Sequence, residues 1–491
     1  MIAGQLRGIL TAATGFLARA SNQIASVVTT FVAIGFLSPT EFGVFALASI
    51  AVTLIRVMLH TGAFEYLLKA RSASECSSES LVLNLALAVS LTLLLWLGAG
   101  LAHVAFGPSQ IITVLAVMAP SNLIAAASAW RESLLLRTGR LKLYYLLTTI
   151  TEGLALVATV ALLYAGYGVY ALVVQVYLRN VMLLALYLQT GPITWSLGWS
   201  RAKLAEVFNW SLTRYASVFL NFGVQYGADL LLGIFLSPAA TGIYRASSRL
   251  VTAVSDLFAH PLRLMAMTFF SARAAQGRSS AELWPILAGV VAAVAWPALA
   301  GLAILADHIV PLVLGQQWLA AAPLVPIICV AHALGLLDGV TSTVLVCYNH
   351  QRLVFTIQII ASVLMIVLIA CAAPFGLMPA AVAAAVGALV TSSIFIVAAL
   401  RHMPGSQRPL RQALPVAAAL GAATWIGAAW ALGAATRAGA PQGLLIASAV
   451  AGGIACWLLV LALVHRHALA LIGPLQDRQP PADLVLAAEQ P

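Results

Sequence analysis

Apolar stretches long enough to cross a bilayer follow one another along almost the whole chain, separated by short polar breaks rich in Arg, Ser, Pro and Gly. A helix needs roughly 20 apolar residues to traverse the hydrocarbon core. The pattern predicts about fourteen spans, near 9–36, 42–66, 80–105, 110–134, 144–164, 168–189, 208–236, 241–270, 284–305, 319–346, 353–373, 378–400, 412–433 and 443–464. The first stretch runs past signal-peptide length and holds Arg19, Asn22 and Gln23, so it is read as a retained span. Between spans six and seven, Trp195, Trp199, Arg201 and Lys203 alternate with apolar residues, which suits a helix at the bilayer surface. The expected architecture is all-α and polytopic. A six-helix lobe over 1–194 is joined by a cytoplasmic interfacial linker, 195–207, to a second six-helix lobe over 208–402. Two further helices occupy 403–466, and the proline-containing polar tail, 467–491, is expected to be a disordered cytoplasmic segment.

Charge orients these spans. Only 8% of the 491 residues are charged, against about a quarter in a soluble domain. The net charge of +10 suggests no nucleic acid, because cytoplasmic loops collect Lys and Arg. With fourteen spans and Arg7 in the cytoplasm, loops on that side hold 16 basic residues and the opposite loops hold only Arg437. Both termini are therefore expected in the cytoplasm of a multi-pass bacterial inner-membrane protein. The five cysteines form no CxxC pair, so neither a disulfide framework nor a metal site is suggested.

The chain repeats itself. Phe36-Leu37-Ser38-Pro39 ends span one, and Phe235-Leu236-Ser237-Pro238 ends span seven. Gly43 and Phe45 then match Gly242 and Tyr244 at the same offset. Both spans run in the same direction, so the repeat is parallel. A chance recurrence of a helix–Ser-Pro–helix turn is the plain alternative.

Eight arginines remain in or at the ends of spans: Arg19, Arg56, Arg131, Arg179, Arg214, Arg245, Arg249 and Arg263. Each mid-span arginine facing lipid costs about 2.5–3.5 kcal/mol on insertion scales. They are expected to line a wet cavity, pair with carboxylates or reach the headgroups. Six acids share the spans, namely Glu65, Glu132, Glu152, Asp229, Asp256 and Asp338, too few to neutralise every arginine. At about 100° per residue, Arg245, Arg249, Asp256, His260 and Arg263 fall on one narrow stripe of span eight. Arg214, Asn221 and Gln225 share a face of span seven, and Arg19 and Gln23 one of span one, with Asn22 beside it. A guanidinium keeps its proton and offers a planar fork matched to phosphate oxygens. Arg19, Arg56, Arg214 and Arg249 are therefore the candidate ligands of a diphosphate, with Asn22, Gln23, Asn221, Gln225, His260 and Arg263 as polar lining. Arg131 beside Glu132, and Arg179 beside Asn180, are read as span-end residues snorkelling to headgroups. Arg245 follows the Ser-Pro turn and fits either an interfacial or a cavity position.

The carboxylates have two readings. Asp229 and Asp256 either hold arginines as counter-ions or bind a coupling ion. Asp338, with no intramembrane arginine near it in sequence, is the better site for a proton or sodium gradient to act. His260 is read as a hydrogen-bonded packing residue before a proton relay. The eleven tryptophans fit an interfacial belt. Walker A, GxGxxG, HExxH and GxSxG motifs are missing, and no enzyme or cofactor is expected.

Phe36 to Leu47 (FLSPTEFGVFAL), Leu136 to Leu146 (LRTGRLKLYYL), Gly166 to Leu172 (GYGVYAL), Gly227 to Leu250 (GADLLLGIFLSPAATGIYRASSRL) and Leu314 to Pro323 (LGQQWLAAAP) carry a resemblance. They resemble the oligosaccharide-flippase and polysaccharide-transporter (Wzx-like) branch of the multidrug/oligosaccharidyl-lipid/polysaccharide (MOP) exporter superfamily. The resemblance implies two six-helix lobes that rock between inward- and outward-open states, plus two further helices. It also implies an undecaprenyl-diphosphate-linked oligosaccharide as cargo for O-antigen, capsule or exopolysaccharide. Membrane lipids, a polysaccharide polymerase and glycosyltransferases would be its partners. Related lipid II flippases use arginines in spans one, two and eight, where Arg19, Arg56 and Arg249 occupy comparable places. Where one family pattern reads Asp-Asn in span seven, this chain has Ala228-Asp229-Leu230. A multidrug exporter of the same fold would favour acidic residues in its cavity, and a membrane enzyme of polysaccharide assembly would need acidic or His residues on outer loops.

Overall fold

The computed structural model describes residues 28–70, 76–190 and 200–476, and within them all side chains except those at 220, 221, 224, 225, 260–265, 268, 272 and 465–476. Helix α1 covers 28–36. Ser38 then starts α2 (Pro39–Leu59) through a capping box. Its hydroxyl accepts from Glu41 N at 3.3 Å, and Glu41 Oε2 accepts from Ser38 N at 3.0 Å. Pro39 suits the first helical turn, where its missing N–H is no loss. Predicted span two is broken at Gly62 (φ 55°), a backbone conformation that side chains resist. The chain resumes as α3 (Ala63–Lys69). Pro120 likewise divides span four into α5 (Gln110–Met118) and α6 (Ser121–Arg137), which follow α4 (Ser77–Phe106).

Next come α7 (Leu141–Tyr164), α8 (Val169–Leu188), α9 (Arg201–Phe235) and α10 (Pro238–Ala275). Helix α9 is continuous, so residues 201–207 of the expected linker form its first turns, while 195–199 lie outside the described residues. Beyond it are α11 (Leu283–Ile304), α12 (Ala306–Val313), α13 (Leu324–Cys347), α14 (Gln351–Ala372), α15 (Leu377–His402), α16 (Gln407–Arg437) and α17 (Gln442–Gln476). Among the described residues, 11 helices are long and apolar enough to cross a membrane. The other three of the fourteen expected spans are the first, mostly outside the described residues, and α9 and α10, which are helices of 35 and 38 residues.

The chain forms two compact units, Met1–Gly242 and Ile243–Pro491. In the first, Ile55, Leu59 and Phe64 pack with Ala88, Ala125, Ala126 and Ala129. The four alanines let α2, α4 and α6 approach closely, as small residues do in membrane helices. The tightest approach joins the two copies of the repeat. A methyl group on Gly43 would overlap the Pro238 carbonyl, and one on Gly242 would overlap that of Pro39. The motif thus packs against its own copy. In the second unit, α16 and α17 lie against each other and against α11.

Candidate functional site

Helices α2, α6, α7 and α8 enclose a cavity of about 370 Å³ in the first unit. Its polar lining comprises Arg56 and His60 from α2, Glu132 from α6, Tyr144 from α7, and Arg179 and Asn180 from α8. Arg179 Nη2 lies 2.9 Å from Glu152 Oε1. His60 stands between its own helix and a carboxylate: Nδ1 is 2.9 Å from the Arg56 carbonyl and Nε2 is 3.5 Å from Glu132 Oε2. Asn180 Nδ2 donates to the Ser121 carbonyl at 3.1 Å, fixing α8 against α6.

Arg56 differs from Arg131, Arg137, Arg140, Arg179 and Arg214, each of which has a protein acceptor. Its Nε is enclosed and has no hydrogen-bond acceptor. Its guanidinium makes no hydrogen bond or ion pair among the described residues. A cation held this way within the bilayer needs water or an anion beside it. Arg179 pairs with Glu152, and Glu132 stands on the same lining nearer His60, so Arg56 is the cavity's cation without a direct ion pair among the described residues.

The structure corrects the reading of Arg131 and Arg179 as snorkelling residues. Arg131 is 4% exposed and donates through Nε (3.3 Å) and Nη2 (3.0 Å) to the Tyr187 carbonyl at the end of α8. Together with Thr190, which also donates to this carbonyl, it caps the helix C-terminus and complements its partial negative charge. Arg137 and Arg140 do the same for the Leu67 and Thr190 carbonyls, at 2.6 and 2.8 Å. Arg179 lines the cavity itself, one turn before Leu183. The signal for it was available in Glu152, which shares the bilayer with it, but residue spacing cannot pair two different helices.

Of the four predicted diphosphate ligands, Arg56 alone lines this cavity; Arg19 lies outside the described residues. Arg214, on α9, forks onto Glu65 through Nε (2.7 Å) and Nη2 (3.0 Å). Around that fork, Tyr66 Oη donates to Glu206 Oε1 at 2.7 Å, Tyr215 Oη accepts from Ala63 N at 3.4 Å, and Lys69 sits 5.9 Å from the Trp210 ring. Tyr215 also fills the space beside Gly62 that any side chain there would need. Arg249 is exposed on α10 in the second unit. Asn22 and Gln23, and the side chains of Asn221, Gln225, His260 and Arg263, lie outside the described residues.

The three aspartates separate. Asp229 is 9% exposed, and its carbonyl accepts from Thr241 Oγ1 at 3.3 Å. Asp256 acts electrostatically on His332 of α13, whose Nδ1 lies 3.1 Å from Ser255 Oγ. Asp338 faces Ser392 of α15, yet neither Asp338 Oδ1 nor Ser392 Oγ, both enclosed, makes a hydrogen bond. No group of three or more potential metal ligands occurs among the described residues.

Residues 35–323, more than half of the chain, match the family described as polysaccharide biosynthesis protein. The chain belongs to that family. The chain matches no curated protein sequence. Its fold is shared with the lipid II flippase MurJ in an inward closed conformation, at 13% identity and a TM-score of 0.71, over 93% of this chain and 99% of that one. It is also shared with a multidrug resistance MATE family transporter of the MOP superfamily, inward-facing, at 13% identity and a TM-score of 0.61, over 79% of this chain and 96% of that one. The chain is thus a multi-pass membrane protein that shares its fold with a flippase and a transporter.

Proposed function

We propose that the protein flips an undecaprenyl-diphosphate-linked oligosaccharide across the bacterial inner membrane, for O-antigen, capsule or exopolysaccharide synthesis. The single observation that carries this reading is Arg56, a guanidinium with no hydrogen bond or ion pair among the described residues, in a cavity within the membrane-spanning helices. A diphosphate supplies paired oxygens that fit its fork. Arg179 stands on the same cavity to share the charge, and Tyr144 and Asn180 offer neutral hydrogen-bonding groups. Both termini lie in the cytoplasm on this reading, as the loop charges require. Glycosyltransferases hand over the cargo and a polymerase receives it.

The test is a deletion strain. Lipid-linked oligosaccharide should accumulate on the cytoplasmic face and surface polysaccharide should vanish, with rescue by the wild-type gene. Normal surface polysaccharide in the deletion strain defeats the proposal. If the deletion instead raises accumulation of cationic dyes, the multidrug reading takes its place.

Arg214 has a smaller part in this scheme. An exposed ion pair contributes at most about 1 kcal/mol, so Arg214→Gln is expected to lower surface polysaccharide by less than about fivefold. Immunoblotting of the polysaccharide against protein level checks this.

The scheme also assigns coupling to Asp338. An enclosed carboxylate oxygen without a donor is costly unless it holds a proton or a cation. Asp338→Asn is expected to preserve the melting temperature while removing the dependence of flipping on a sodium or proton gradient in proteoliposomes. Unaltered gradient dependence would exclude that role.

A further inference from the structure

The second half of the second unit has a one-sided charge. From Gly339 to Gln476 the chain contains Arg352, Arg401, Arg408, Arg411, Arg437 and Arg466 and no Asp or Glu. One of these arginines, Arg401, lines a groove of about 530 Å³ along α14 and α15, and Arg352 directly precedes Leu353 of its wall in the chain. Its walls are apolar, formed by Leu353, Ile357, Leu389, Ile394 and Val397 among others, and Arg401 and His402 close one end. The groove faces the surroundings of the unit, since Leu389 is 51% and Val397 46% exposed.

The closed end gathers cations. Helices α14 and α15 run antiparallel through the short turn at Ala373–Phe375, so Arg352 at the start of α14 and Arg401 at the end of α15 share one level. His350 and His402 meet edge to face there, with ring centroids 4.6 Å apart, and His402 Nδ1 lies 2.9 Å from the Ala398 carbonyl. Neither Arg352 nor Arg401 makes a side-chain hydrogen bond or an ion pair among the described residues. Arg401 stands at a helix C-terminus, where a cation is favoured, but Arg352 stands at an N-terminus, where it is not. An anion at this level would offset both the arginines and that unfavourable placement.

We propose that this groove binds an anionic glycerophospholipid of the adjacent leaflet. One acyl chain lies along Leu389, Ile394 and Val397, and the phosphodiester sits between Arg352 and Arg401. The loop charges assign that leaflet to the cytoplasmic side, where basic pockets between membrane helices meet acidic headgroups. The proposal is independent of which molecule the protein transports.

Native mass spectrometry of the full-length protein in detergent, with equal amounts of phosphatidylglycerol and phosphatidylethanolamine, tests it. Phosphatidylglycerol adducts should dominate. An arginine beside an acidic headgroup is worth about fivefold in affinity, so the Arg352→Gln/Arg401→Gln double variant should weaken phosphatidylglycerol binding about thirtyfold. Leu389→Trp, which fills the groove and keeps both charges, should weaken it as well. The Arg352→Lys/Arg401→Lys variant should retain the selectivity, which separates loss of charge from loss of fold, and Arg437→Gln should leave it unchanged. Equal binding of the two lipids, or undiminished selectivity in the glutamine variant, overturns the proposal. So does displacement of phosphatidylglycerol by equimolar undecaprenyl phosphate, which would give the groove to a cargo tail.

Discussion

Arg56→Ala is expected to abolish surface polysaccharide while leaving the protein as stable as the wild type, or more so. Most arginine truncations cannot give this pair of results. Arg131→Ala removes two hydrogen bonds to the Tyr187 carbonyl inside the fold and should destabilise by about 1.5–3 kcal/mol. Arg56 has no such bonds to lose. Its enclosed Nε without an acceptor costs the folded protein about 1–3 kcal/mol, and its removal relieves that cost. Its contact with a diphosphate is worth about 2–5 kcal/mol, so flipping should fall by at least about thirtyfold. Arg56→Lys keeps the charge without the fork and should fall between. Melting curves in detergent, read beside polysaccharide blots, check both halves. A destabilised Arg56→Ala protein would mean that the residue is structural, and wild-type polysaccharide would mean that the cavity does not carry cargo.

The second large effect is expected at the repeat. Gly43→Leu or Gly242→Leu should reduce folded protein severely, by about 3 kcal/mol or more, because the obstruction is a backbone carbonyl that cannot rotate away. Gly43→Ala should already be felt, because even a methyl group overlaps Pro238. Gly98→Ala provides the control, since nothing lies within 4 Å of the place its methyl would take. Fluorescence-detected size exclusion of the four variants would show the order. A Gly43→Leu protein that elutes and melts like the wild type would contradict the self-packing of the motif.

Much of the fold was legible because lipid imposes a simple rule. Only a helix satisfies its own backbone in hydrocarbon, so apolar length alone located the eleven described stretches long and apolar enough to cross. Their interruptions were harder. Gly62 and Pro120 split two predicted spans, and hydropathy averages over single residues. The site was legible in kind but not in membership. Residue types announced intramembrane guanidinium groups. Which of them are answered depends on neighbours from other helices: Glu152 meets Arg179, Glu65 meets Arg214, and the Tyr187 carbonyl meets Arg131. No periodicity within one span reveals such partners, and so Arg179 was missed and Arg214 was given a role that Glu65 already occupies.

Arg137 and Arg140 close the open carbonyls of Leu67 and Thr190. The same two residues belong to the basic set expected to orient the chain during insertion. Topology signal and mortar are therefore one material here. An experimenter who strips these side chains to invert the protein will also fray the ends of the helices they seal, and a shortage of correctly inserted chains will have two causes. Lysine at these positions would keep the insertion signal while giving up the planar grip, and comparing Lys with Gln there would tell the two duties apart.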